Sequence, residues 1–326
     1  MYSARIVTVD SVEILRLTDS EREIDVSIAP SLGNLAYEMK VRGKNLFWLP
    51  CATLGELVAR PVHAGNPFLA PWANRLDQDA FWANGKKYLL NAGLGNFTRD
   101  GNGKPIHGLV TFTPAWRLVS LEAGQRRAKS TSRLEFWRVP EWMAQFPFAH
   151  TIEMTYSLRD GVLEVITRIE NLAVEPMPVA VGYHPYFRLH DAPRDEWRVH
   201  LAVRERMALT AELIPTGERR PASFPDPMRL AGAELNDLFS PLERDADGRA
   251  EFWVQGRRQK ISAIYGPKYT AAVAWAPPGR DFVCFEPMSA ITNAFNLAQV
   301  GLHADLQSIP PGESWQESFW IRAEGF

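Results

Sequence analysis

Short runs of alternating apolar and polar residues recur along the chain. SVEILRLTD, EIDVSIAP and LAYEMKVRG follow one another near the N-terminus, and HTIEMTYSLRDGVLEVITRIEN, WRVHLAVRERMAL and AEFWVQG occupy the middle. AAVAWAPP, DFVCFEPM and SFWIRAE stand near the C-terminus. Each strand-like run is roughly five to ten residues long and is usually bounded by Gly, Pro, Asn or Asp, the pattern of strands half buried in a sheet. The clearest hairpin is TYSLRDGVLEVITRIEN, where Asp160-Gly161 supplies a two-residue turn between β-rich arms. Helical periodicity is scarce: NPFLAPWANRL, EWMAQF and GAELNDLF each fit one helical turn, and none sustains the repeat. The pattern predicts an all-β chain of many antiparallel strands, a sandwich or barrel. No Gly/Ser-rich linker, repeat or low-complexity tract divides residues 1–326, so they read as one domain, a size all-β domains reach.

Composition narrows the partners. With 46% hydrophobic residues, 326 residues can bury a large core. A formal net charge of -2 and a pI of about 6.4 give no electrostatic basis for binding nucleic acid or an anionic membrane. Arg126-Arg127 and Arg257-Arg258 are short basic pairs interleaved with acids and read as solvated faces. No apolar run approaches the ~18 residues of a membrane helix. The opening MYSARIVTVDSVEILRL alternates, with Arg5, Asp10 and Glu13 inside it, and reads as strand rather than signal peptide. Cys51 and Cys284 are too few for a disulfide framework, so a soluble, reducing, cytoplasmic setting is expected. The 11 Trp, 17 Phe and 8 Tyr are mostly core material, with some available to line a sugar pocket.

Five polar residues stand out against apolar or turn-forming surroundings. Glu286, in RDFVCFEPMSAITNAFN, is the one charge of FVCFEP, at the end of a strand closed by Pro287. Unpartnered burial there raises a carboxyl toward the range of a working base. His184, in VGYHPYFRL, precedes a proline that interrupts a strand-like run and is flanked by Tyr183, Tyr186 and Phe187. His107, in GNGKPIHGLVTF, precedes Gly108, which lets backbone approach a ligand, although a lone His beside Gly is more often a hydrogen-bonded structural residue. Arg75, in FLAPWANRLDQDAFWANGKKYLLN, offers a planar donor fork to hydroxyls or a carboxylate, or a loop salt bridge. Asp237, in AELNDLFS, reads alone as a turn or cap residue. A His-x-Glu-x-x-His metal motif, paired cysteines, a G-x-S-x-G elbow, a Walker loop and a dinucleotide fingerprint are all missing. The chemistry is expected to run on side chains alone, without metal or cofactor.

In order and spacing, PWANRL, DAFWANGKKYLLN, IHG, GYHPYFRL, LNDLF, CFEPMSAITNAFN and PGES together resemble the aldose 1-epimerase, or galactose mutarotase, family over roughly residues 25–320. The resemblance implies a large β-sandwich, the galactose mutarotase-like supersandwich, with a sugar cleft across one sheet. It also implies Glu286 as catalytic base, His184 as general acid, His107 as a second active-site histidine, and Arg75, Asn74 and Asp237 as substrate-binding residues. The partner implied is a small-molecule aldose, bound by a monomer or homodimer. The chain departs from the family at Arg188-Leu189, where many members have Asn-Leu, and after His107-Gly108, where the usual glycine-rich continuation is missing.

Interconverting α and β anomers requires the ring to open, the C1–C2 bond to rotate and the ring to close. A carboxylate and an imidazolium on opposite sides of the breaking bond would take the C1 hydroxyl proton and protonate the ring oxygen. The neighbouring carboxylate is expected to favour the protonated form of His184 against desolvation, holding its pKa near neutral pH. Two other readings share the fold. A hexose-6-phosphate 1-epimerase needs extra cations, whereas HGLVTF carries none before Arg117. A non-catalytic carbohydrate-binding domain needs no acid–base pair.

Overall fold

In the computed structural model, which describes residues 1–326, helix is confined to Leu54–Ala59, Pro140–Gln145 and Ala294–Gln299 and three 3-10 turns; everything else regular is strand. The chain is all-β and antiparallel. The Asp160-Gly161 hairpin forms as its sequence predicts: both residues take positive φ (51° and 80°), and Arg159 pairs with Val162 across a two-residue loop. Its second arm, Val162–Asn171, alternates strictly between half-buried and buried positions, as one-sided packing of a pleated strand requires.

These two arms lie in a nine-stranded sheet that runs from the Arg117–Ala123 edge through Ala128–Glu135, His150–Arg159, Val162–Asn171 and Ser314–Glu324. It continues through Lys260–Tyr265, Ala250–Gln255 and Arg198–His200 to Met228–Arg229. A second sheet orders Leu235–Phe239, Ala271–Ala276, Val283–Met288, Gly182–Tyr183 and Phe68–Leu69, with Tyr186–Phe187 also paired to Val283–Met288. The N-terminal strands, from Tyr2–Val9 to Lys44–Asn45, make a five-stranded meander.

Sheet meets sheet through rings. Tyr183 packs on Phe319 at 4.7 Å, and Phe285 on Phe252 at 6.0 Å. Both pairs belong to one continuous cluster of 76 buried apolar residues. Because strand side chains alternate, turning Tyr183 and Phe285 into this core turns His184 and Glu286 to the other face.

Two sequence readings are corrected. GAELNDLF is no helical turn: Leu235–Phe239 is an edge strand, paired along its length with Ala271–Ala276. Nor does NPFLAPWANRL form a helix. Pro67 and Pro71 lack donors, Phe68–Leu69 joins the sheet, and Asn74 turns to φ 58°. EWMAQF does lie in a helix, Pro140–Gln145, with Pro140 at its start. WRVHLAVRERMAL divides into two strands, Arg198–His200 and Glu205–Leu209, in different sheets. No helix is long and apolar enough to cross a membrane.

Candidate active site

Strand register places the two central residues. Gly182 lies opposite Met288 and Tyr186 opposite Cys284, a single register that carries His184 directly across from Glu286. The His184 N–H points the other way and donates to Pro67 O at 3.0 Å. The His184/Glu286 pair is therefore non-hydrogen-bonded on the Val283–Met288 side, where opposed side chains approach most closely. Pro185 and Pro287 each remove a ladder donor beside the pair. The result is contact: His184 Nε2 lies 3.2 Å from Glu286 Oε1. Tyr186 stacks on the imidazole (4.6 Å between centroids, 9° between planes), and Trp275 meets it edge-on at 5.7 Å.

Burial dominates the electrostatics. Glu286 is 2% exposed, and desolvation raises its carboxyl well above the usual range, with Arg75 opposing. Burial drives His184 well below 6.5, assisted by the field of His63. The structure thus departs from the expectation that the carboxylate holds His184 near neutrality. Each group is pushed toward its uncharged form, so the pair favours holding a single proton between them.

Two loops face this pair. His107 takes φ 63° and Gly108 φ 71°; a Cβ on Gly108 would lie 2.1 Å from Ala70 O, so the close approach expected at this glycine is to backbone. His107 N–H donates to Asn74 O and Leu109 N–H to Ala70 O, stapling loop 105–111 to loop 70–76. Burial, with the fields of His63 and His184, also holds the His107 imidazole well below 6.5. On the second loop, Asn74 Oδ1 accepts from both the Arg75 N–H and Nη1 at 3.0 Å, and Arg75 Nε donates to Asp100 Oδ2 at 2.5 Å. Asn293, from the TNAFN segment, closes the frame: its N–H donates to Arg75 O and its Oδ1 accepts from Asp77 N–H.

Glu286, His184, His107, Arg75 and Asn74 all line one cavity of about 500 Å³, within the usual range for a small-molecule site. Asp237 does not. Its side chain turns away, and Oδ1 accepts from Arg206 Nη1 at 2.9 Å, while Asn236 takes the lining position across from Trp275. The LNDLF motif resembles the family in sequence, but period-2 alternation on this strand gives the cavity face to Asn236. Sequence reasoning also missed His63 and Trp275 on the lining, and Asp100 behind Arg75. His63, in RPVHAGNPF, carries no local pattern that separates it from an ordinary loop histidine. No three of the His, Cys, Asp or Glu side chains are arranged to hold a metal ion.

A buried carboxyl and an imidazole 3.2 Å apart at the wall of an aromatic-lined cavity of about 500 Å³ can move protons on a bound polyol. The fold matches known ones throughout. A galactose mutarotase-like protein from Clostridium acetobutylicum superposes with a TM-score of 0.88 at 20% identity, over 100% of this chain and 99% of that one. A protein from Synechocystis sp. PCC 6803 gives 0.77 at 24% identity over 100% of both chains. Galactose 1-epimerase from Lactobacillus acidophilus gives 0.76 at 13% identity, again over 100% of both. At these identities the likeness establishes the galactose mutarotase-like fold. The family model for aldose 1-epimerase matches residues 38–322, nearly the whole chain and every cavity residue named above, and the chain belongs to the aldose 1-epimerase family of isomerases.

Proposed function

We propose that the protein interconverts the anomers of a free aldohexose, with Glu286 as base and His184 as acid. The observation that carries this reading is the buried contact between His184 Nε2 and Glu286 Oε1 on the cavity wall. The two oxygens that exchange protons, the C1 hydroxyl and the ring oxygen, are both bonded to C1. An acid and a base serving them need to stand side by side, not on opposite sides of the breaking bond as expected from sequence, and the observed adjacency meets that need. Glu286 takes the proton of the C1 hydroxyl as the C1–O5 bond breaks, and His184 protonates O5. Rotation about C1–C2 presents the other aldehyde face, and closure returns both protons. The pair ends with the proton count it began with, so no external acid or base is consumed. Arg75, His107 and Asn74 hold the hydroxyls and keep the open chain in place. Asn236, rather than Asp237, is the fourth contact on this reading.

A neutral sugar fits better than a phosphorylated one. Two arginines reach the lining, and both are already neutralised: Arg75 by Asp100 and Arg99 by a two-point contact with Asp79 at 2.8 and 2.7 Å. A phosphate would compete with these carboxylates for its own charge-assisted contacts. Polarimetry of freshly dissolved α-D-glucose and α-D-galactose tests the reading, with α-D-glucose 6-phosphate alongside. Catalysed relaxation of the free sugars, and little beyond the buffer rate for the phosphate, is the expected result. Tight sugar binding with relaxation at the buffer rate would instead mark a binding domain.

A further inference from the structure

The sugar cavity has a neighbour. A second chamber of about 310 Å³ adjoins it, lined on its far side by Phe97, Leu109, Thr113 and Trp142, and sharing His63, Thr98 and Phe112 with the first. Residues common to both linings form the partition. His63 is its centre, with its ring 5.2 Å from Phe112, 4.9 Å from His107 and 6.2 Å from His184. His184 and Glu286 line the first chamber alone, whereas His63 lines both, so an aldose with its anomeric carbon against His184 and Glu286 would turn its remote end toward His63.

Its chemistry suits that place. Burial lowers the imidazole to about 4, so at neutral pH it offers one N–H donor and one lone pair. Its Nε2 and the Nδ1 of the adjacent His107 are sealed from the cavity without a protein partner. The opposite nitrogens, His63 Nδ1 and His107 Nε2, also lack a protein partner but keep access to the cavity that both rings line. Two uncharged, unpartnered imidazoles side by side on a cavity wall suit hydroxyls, which donate and accept, and suit an anion poorly.

We propose that His63 is a substrate-contacting, specificity-determining residue, which binds the aldose at the end remote from the anomeric carbon and, with Phe112, closes the sugar cavity against the second chamber. The inference rests on the epimerase reading above and extends it to a residue and a boundary. His63 takes no part in proton transfer, so its loss acts on binding: KM changes while kcat holds.

Three variants separate its two roles, read by polarimetry on D-glucose and on maltose, whose second ring extends from O4. His63→Ala loses the hydrogen bond and the partition; KM for glucose rises about tenfold, as for one lost neutral hydrogen bond, with kcat within about twofold. The maltose-to-glucose ratio of kcat/KM rises because the second ring gains the chamber. His63→Phe keeps the partition but not the hydrogen bond: KM for glucose rises similarly while the ratio stays at the wild-type value. His63→Gln restores a donor and acceptor and brings KM back toward wild type. Folded variants, by circular dichroism and melting temperature, with wild-type KM on glucose and an unchanged ratio would overturn the proposal, as would a fall in kcat at constant KM. If the wild type accelerates no mutarotation, the reaction assignment fails separately. Calorimetric Kd values for D-galactose then test His63 directly, and equal Kd in wild type and His63→Ala would reject it.

Discussion

The His184–Glu286 contact predicts that the two residues fail as a unit. Glu286→Gln is nearly isosteric: an amide replaces the carboxyl at 2% exposure, keeps the contact with His184 Nε2, and removes a buried ionisable group rather than stranding a charge. Binding is therefore expected to survive while the base is lost, lowering kcat by about 10²–10⁴-fold, the usual worth of one positioned proton transfer. His184→Gln should cost a similar factor. If the residues worked independently, the double variant would lose the product, roughly 10⁴–10⁸-fold, until the buffer rate intervened. On the proposed mechanism, two residues 3.2 Å apart that hand over protons in one step do not work independently. Once one partner is gone the other has no complement, so the double variant should lie within about tenfold of the worse single variant. Polarimetry of α-D-glucose at low buffer concentration, with the uncatalysed rate subtracted, measures all three. Full activity in Glu286→Gln would refute the base assignment, and multiplicative losses measurable above the buffer rate would refute the shared proton.

The pH profile follows from the same burial. Adding a second proton makes the buried pair a net cation, and burial lowers His184, so the acid limb of kcat/KM should fall below the ordinary imidazole value of about 6.5. Removing the last proton makes a net anion, which burial also opposes, so activity should persist into mildly alkaline solution; an acid limb near 6.5 would contradict this. Arg75→Lys cannot reproduce a fork that donates Nε to Asp100 and Nη1 to Asn74, so KM should rise about tenfold in steady-state polarimetry. Gly108→Ala places a Cβ against Ala70 O at positive φ, and should lower unfolding free energy by roughly 2–3 kcal/mol in urea denaturation.

What was legible in the sequence was whatever local pattern determines. Alternation located most strands, and Asp160-Gly161 marked the hairpin because positive φ at both turn positions selects such residues. Glu286 and His184 stood out because a lone ionisable group in an apolar strand needs a reason. What stayed hidden depends on long-range pairing. Whether Asn236 or Asp237 faces the cavity is set by register against Ala271–Ala276 and by Arg206, some thirty residues away, not by the motif itself. The strand over Leu235–Phe239 was read as helical because five residues with Leu235, Leu238 and Phe239 apolar fit either period. His63 and Asp100 lie in loops whose approach to the site is a property of the folded chain.

The site also explains why the sheet is interrupted where it is. A continuous ladder between residues 182–187 and 283–288 would bury His184 and Glu286 no less deeply, but it would lock both strands in regular pairing. Pro185 and Pro287 withhold donors on either side of the pair, and the His184 N–H, which points away from Val283–Met288, donates to Pro67 O beside the neighbouring strand Phe68–Leu69. The backbone is thus fixed from that neighbouring strand while the contact across the pair is left to side chains. Register holds the rest: slipping either strand by one residue would exchange His184 for Tyr183 or Pro185 and turn the imidazole into the core. The same pairing that joins Tyr183 and Phe285 to the 76-residue cluster therefore fixes the proposed acid and base. A proposed acid–base pair placed by register needs no flexible loop to assemble it, and on the proposed reading that leaves the loops carrying Arg75, His107 and His63 as the elements that adapt the cavity to a sugar.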